Sequence, residues 1–219
     1  NQEILDYLAT TFIESGWNVK ELMRLIVNSD TYKQSSKATK VTESDSNYSL
    51  DPDNRFLSRG PRFRMPSWML RDNALAASGL LVPKIGGNPV NTYQPEGVWE
   101  EASFGKKRYS RDNGENLYRR GLYTFWRRII APPAFFDNSN RSTCNVKPFL
   151  TNTPLQALYM FNDVTFVEAS RALAEMAITS TNDNDLDRLN FIFKRLLARA
   201  PIASEQEILL KALNRSRQS

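Results

Sequence analysis

Histidine is absent from the 219 residues, and cysteine occurs once, at Cys144. The missing histidine removes Ser-His-Asp and Cys-His catalysis, His-ligated zinc and His-ligated haem from within the chain. The single cysteine removes an internal disulfide and any cysteine-pair metal site. No cofactor is therefore expected in this chain. A lone cysteine with no base beside it reads as a packing residue. Apolar runs are short, so no transmembrane segment is expected, and no signal peptide opens the chain.

Apolar material is nevertheless plentiful. Hydrophobic residues make up 41%, with four Trp, eight Tyr and twelve Phe, which is enough for a core and argues against wholesale disorder. The net charge is +5, with basic clusters at Lys106-Lys107-Arg108, Arg119-Arg120 and Arg127-Arg128. Because 24 Asp and Glu accompany 29 Lys and Arg, these clusters read as a solvated face with ion pairs. No nucleic-acid motif accompanies them, and nucleic acid is not an expected partner.

The pattern predicts a mainly α fold: a helical bundle with long irregular Pro/Gly-rich loops in the middle. We read residues 1–219 as a single domain belonging to a longer polypeptide. Residues 1–32 form a helical hairpin, 33–150 a loop-rich middle with helices, and 151–219 a helical bundle segment. In the hairpin, Leu5, Leu8 and Phe12 recur at helical spacing, Gly16 breaks the run, and Asn18 can cap a second helix. Residues 33–55 read as a polar loop. Pro66 starts a helix to about Leu80, with Trp68, Leu75, Ala76 and Gly79 on one stripe. Arg59, Arg62 and Arg64 crowd before it, an arrangement that suits pairing with carboxylates or an anion at the helix start.

The C-terminal third begins with Thr153-Pro154-Leu155-Gln156. Thr153 is a good N-cap, Pro154 suits the first helical position, and Gln156 can complete a capping box. Asn162-Asp163 should stop that helix and cap the next. Phe166, Ala169, Leu173 and Ala177 mark one further helix, and Leu186, Leu189, Phe193, Leu196 and Leu197 another. Ser204 with Glu207 suggests a second capping box and a last helix to about Leu213. Residues 116–130 satisfy both helical spacing and alternation. We take them as a helix, with a strand as the alternative.

Residues 82–115 interleave Pro and Gly with aromatics and carboxylates, the composition of a long ordered loop that carries a binding site. The candidate ligand-binding residues are Arg62, Arg64, Tyr93, Trp99, Arg120 and Trp126, a polar-aromatic set in irregular or basic segments. A guanidinium stacks well on an indole, so Arg119, Arg120 and Arg127 can frame a pocket with Trp126. The rival reading is a carbohydrate-active enzyme using Glu96, Glu100, Glu101 and Asp112. It requires two carboxyl groups facing each other across a cleft. Gly86-Gly87 lacks the spacing of a phosphate loop.

Several collinear segments resemble the planctomycete surface domain family, also called domain of unknown function 1553. They include Glu14-Ser-Gly-Trp-Asn-Val-Lys20, Tyr32-Lys-Gln-Ser-Ser36, Asp53-Asn-Arg55 and Arg59-Gly-Pro-Arg-Phe-Arg64. Further on come Arg71-Asp72, Gly79-Leu-Leu-Val-Pro-Lys-Ile-Gly-Gly87, Tyr93-Gln-Pro95, Gly97-Val-Trp99 and Tyr118-Arg-Arg120. Leu122-Tyr-Thr-Phe-Trp126 and Thr151-Asn-Thr-Pro-Leu-Gln-Ala-Leu158, followed by Asn162-Asp163, complete the series. The resemblance covers nearly the whole chain and corresponds to the later part of the family domain. It implies a bacterial, extracytoplasmic polypeptide (periplasm or cell surface), with a cytochrome-c-like domain upstream that would carry any haem. We expect an accessory or binding role, with upstream domains of the same polypeptide as partners and a glycan as a candidate ligand of the loop-rich region. The resemblance carries over no catalytic residue. Met23 stands where such sequences often have His, so any site role of that His is absent here. A third expectation is purely structural: an exposed apolar patch on the hairpin of residues 2–28 would pack against the haem domain.

Overall fold

The computed structural model describes residues 1–218 except 38, 41, 43–44, 128–129, 140–142, 147–148 and 182–183. Arg128 of the third basic cluster and Ile129 lie outside the described residues. The described chain is mainly α-helical, and its backbone contacts fall into two compact units, Asn1–Arg64 and Met65–Ser219.

The first unit opens with α1 (Gln2–Glu14) and α2 (Val19–Asn28), which pack as a hairpin. The turn passes through Gly16 at φ 68°, the left-handed region in which glycine is unstrained. Asn18 caps α2, its Oδ1 accepting from the Glu21 N–H at 3.2 Å. Ser29 and Ser46 cap the one-turn helices α3 (Asp30–Lys33) and α4 (Asn47–Leu50), the latter set within the polar stretch expected to be loop.

Within the arginine crowd of this unit, Arg59 takes a role that the sequence does not announce. Arg59 is buried and donates to carbonyls, with the Asp51 carboxylate within reach of its charge. Its Nη1 donates to Asn47 O at 2.8 Å and its Nη2 to Pro52 O at 2.7 Å, and its guanidinium lies 4.1 Å from the Tyr48 ring centroid. Next to it, the Gly60 N–H donates to Ser35 O, and a Cβ on Gly60 would stand 2.5 Å from the Gln34 carbonyl oxygen. Only a residue without a Cβ lets these two backbone segments approach so closely.

The second unit is built on α5 (Ser67–Ala77), whose Leu75 is fully buried. This helix packs on α8 (Val164–Ser180) and α9 (Asp185–Leu197). The buried stripe of α8 is Thr165, Ala169, Leu173 and Ala177, strictly four apart. Phe166, placed on that stripe by spacing, is one residue off it and half-buried. On α9, Leu196 and Leu197 are exposed rather than packed.

The Thr153 motif forms as read. Thr153 and Gln156 exchange hydrogen bonds as a capping box on α7 (Pro154–Asn162). Asp163 ends that helix and caps α8 through the Thr165 N–H. The Ser204 box does not form. The last helix, α10 (Ala203–Gln218), already includes Ser204, and the Glu205 carboxylate accepts the Ile202 N–H at 2.9 Å while gripping Arg199 bidentately. A carboxylate reaches the preceding N–H and an arginine together, which a serine hydroxyl cannot.

Between α5 and α7 the chain is irregular. The described residues of 116–130 form neither an α-helix nor a named strand. They make two short 3-10 turns, Gly114–Tyr118 and Gly121–Tyr123, and continue irregularly after Thr124. Isolated bridges pair Val82 with Arg119 and Val90 with Thr124. The short helix α6 (Val98–Ala102) holds Trp99. Among the described residues, no helix is long and apolar enough to cross a membrane.

Candidate functional site

Two buried arginines hold this irregular region in place. Arg71, on α5, donates to Leu117 O at 2.8 Å and to Arg119 O at 2.9 Å. Arg119 then donates to the carbonyls of Lys84, Gly86 and Asn88 at 3.0, 2.5 and 3.1 Å, and its guanidinium lies 3.9 Å from the Tyr123 ring centroid. The basic pair Arg119-Arg120 is therefore split. Arg119 is a buried clamp, and Arg120 faces outward.

That split opens a cleft of about 640 Å³. One wall is a face of α5, where helical spacing aligns Trp68, Met69, Asp72 and Asn73. The other wall is Arg120, Leu122, Thr124 and Trp126, with Phe135 behind. Gly121 joins the walls. Its N–H donates to Asp72 Oδ1 at 2.8 Å, and a Cβ there would stand 3.0 Å from the Phe135 ring. Trp126 stacks on Phe135 at 5.6 Å between centroids.

The cleft surface is apolar and accessible, with Trp68 42% and Leu122 83% exposed. Burial pushes the Asp72 carboxyl above the usual carboxylate range, partly offset by the Gly121 N–H, Arg71 and Arg120. Arg120 feels Asp72 through space, yet among the described residues its guanidinium makes no hydrogen bond or contact ion pair. The cleft thus presents flat aromatic and thioether surfaces beside one available cation. This arrangement can bind an apolar body with an anionic end.

The four sequence candidates of the second unit do not converge. Arg120 and Trp126 share this cleft. Tyr93 borders a separate polar recess. Trp99 offers nothing to a ligand: it is 5% exposed, packed against Tyr109 and Phe125, with its Nε1 donating to Gln94 Oε1 at 2.7 Å. A buried indole whose N–H is satisfied is a core residue. Arg62 is exposed and Arg64 half-buried, both in the first unit. Arg127 sits over Trp99 rather than Trp126.

Of the four carboxylates of the enzyme reading, two share a recess and two do not line it. Glu96 and Glu100 border the polar recess from a single segment. Glu101 is exposed, and Asp112 accepts the Asn91 N–H at 3.1 Å. Among the described residues, no cluster of three or more His, Cys, Asp or Glu is placed to hold a metal.

Trp68, Met69 and Asp72 were missed as site residues. Trp68 was assigned to the core stripe of α5, although its spacing to Asp72 places both on one helix turn. That pairing was the available signal.

Fold and cleft together define a mainly α-helical domain with an open aromatic cleft beside an arginine. The chain belongs to the PSD1 family of proteins of unknown function (DUF1553), whose sequence profile matches residues 1–213. No curated protein and no solved structure matches it.

Proposed function

We propose that the chain is a non-catalytic binding domain of a larger extracytoplasmic bacterial polypeptide, and that its cleft takes a flat apolar group bearing an anion. The observation that carries this reading is Arg120. It lines an aromatic cleft with Trp68 and Trp126 while its guanidinium makes no hydrogen bond or contact ion pair among the described residues. The extracytoplasmic setting, and a cytochrome-c-like domain upstream, rest on the resemblance of the sequence segments. The carbohydrate-active enzyme alternative has weaker support, because Glu96 and Glu100 enter one recess from the same short segment and Glu101 and Asp112 do not line it.

Binding of naphthoate, followed by saturation-transfer NMR against naphthyl methanol, tests the reading. Arg120→Gln should weaken naphthoate by about tenfold, the scale of one charge-assisted hydrogen bond. It should leave the neutral alcohol unchanged. Equal effects on both, or no effect on either, would remove the anion from the account.

A second reading, docking of the hairpin on a neighbouring domain, is favoured by its exposed apolar residues. Leu5, Ile13, Val19 and Met23 are all exposed, and Trp17 is 65% exposed. Hydrogen exchange across residues 2–28 should then slow in the full-length polypeptide relative to this chain. Unchanged exchange would dismiss it.

A further inference from the structure

A second recess of the same unit carries a different chemistry from the aromatic cleft. Tyr93, Gln94, Pro95 and Arg111 border two adjoining hollows of about 590 and 380 Å³. Such volumes suit small-molecule sites. The larger hollow adds Glu96, Glu100 and Asn113, and the smaller adds Asp163.

The walls are held from behind. The Tyr93 hydroxyl donates to Glu168 Oε1 at 2.7 Å, and Tyr118 donates to the other oxygen at 3.3 Å. The Arg111 guanidinium lies 4.8 Å from the Tyr93 ring centroid. Gln94 is oriented by the core, because its Oε1 accepts from Trp99 Nε1. This turns the buried amide Nε2 the other way, toward the Tyr109 oxygen, to which it donates from outside ideal geometry. An amide nitrogen carries two hydrogens, so one contact with Tyr109 leaves the other for a further partner.

Around that donor the hollow supplies both hydrogen-bonding senses. Arg111 offers guanidinium donors that, among the described residues, make no hydrogen bond or ion pair. The carboxylates of Glu96 and Glu100 are acceptors in the same condition. Interleaved donors and acceptors match a ligand whose groups do both, which is the chemistry of sugar hydroxyls. Charge narrows the class. Glu96 and Glu100 outnumber Arg111 in the larger hollow, so its lining is acidic on a chain of net charge +5. It should repel uronate and sulfate glycans and attract an ammonium group.

We propose that this recess binds an amino-sugar oligosaccharide, with Gln94 and Arg111 donating to ring hydroxyls and Glu96 and Glu100 receiving the ammonium. The inference is independent of the aromatic cleft.

Calorimetric titration of the chain with a glucosamine hexamer, cellohexaose and an oligogalacturonate tests it at mildly acidic pH. The glucosamine hexamer should bind about tenfold more tightly than cellohexaose, and oligogalacturonate should not bind. Glu100→Gln should weaken the glucosamine hexamer alone, and Arg111→Gln should weaken both it and cellohexaose. Glu96→Gln serves in parallel, with thermal unfolding confirming that each variant folds. Tighter binding of oligogalacturonate would show attraction by overall charge alone and overturn the proposal. So would the absence of glucosamine binding, or binding that Glu96→Gln and Glu100→Gln both leave intact.

Discussion

The guanidinium of Arg71 donates to the backbone carbonyl of Arg119, 48 positions away at 2.9 Å. Arg119 repeats the pattern on the loop of residues 84–88. Two arginines in series therefore carry the hydrogen-bonding load of an irregular region that has isolated bridges but no named strand among the described residues. Burial alone disfavours the Arg71 charge, and Asp72 and Asp163 act against that. Placing Arg119 is also what turns its neighbour Arg120 outward into the cleft.

Arg71→Met should therefore destabilise the chain by about 3–5 kcal/mol, because two inward carbonyls lose a charged donor. Arg71→Lys should rescue little, since an ammonium lacks the planar fork that reaches both carbonyls. Urea unfolding monitored by circular dichroism measures this. A loss below about 1 kcal/mol would mean that the clamp is dispensable.

Gly60→Ala should destabilise the first unit by about 1–3 kcal/mol, the usual cost of forcing atoms into a filled space. The added Cβ would meet the Gln34 carbonyl oxygen at 2.5 Å, and that oxygen belongs to backbone. Hydrogen exchange should accelerate around residues 34–35 and 59–60. Exchange unchanged there would contradict the close approach.

Thr153→Ala should cost about 1 kcal/mol through the lost N-cap. Gln156→Ala should cost more. Its amide also donates to Thr151 Oγ1 at 2.7 Å and to Asp137 Oδ1 at 3.2 Å. Comparing the two variants by chemical denaturation checks the order.

The pH limbs have opposite signs. Arg199 and the Ile202 N–H hold the Glu205 carboxyl down at about 2, against an ordinary value of 4.5. Its contribution is thus present above 4.5 and is lost as pH falls toward 2. Burial raises the Tyr93 and Tyr109 phenols to about 12 from 10.0, with Glu168 adding to the first and Asp112 to the second. Their contribution is present below 10 and disappears as pH rises through 12. Glu205→Gln should flatten the acid limb of a stability profile, and Tyr109→Phe should soften the alkaline one. A profile unchanged by either substitution would contradict these assignments.

Local signals were legible and distant ones were not. The Asn18, Thr153 and Asp163 caps act within three residues, so sequence spacing exposes them. Arg59, Arg71 and Arg119 instead clamp carbonyls, which every residue possesses, so no side-chain pattern announces the partner. Trp99 sits among polar residues and read as a surface aromatic, yet Gln94 supplies the acceptor that lets it be buried. Residues 116–130 satisfy two periodicities in sequence, and neither governs the described residues among them. Gly121, held by Asp72 and pressed on Phe135, sets a 3-10 turn instead. Of the cleft, Arg120 and Trp126 were visible as a basic-aromatic pair, whereas Trp68 and Asp72 depended on which face of α5 stays open.

The central claim, an anion-anchoring aromatic cleft, is tested most directly by a crystal structure of the chain soaked with naphthoate. The account predicts the ring system between Trp68 and Trp126, with its carboxylate in hydrogen-bond contact with Arg120. Naphthoate seated elsewhere, or in the cleft with its carboxylate turned away from Arg120, would contradict it.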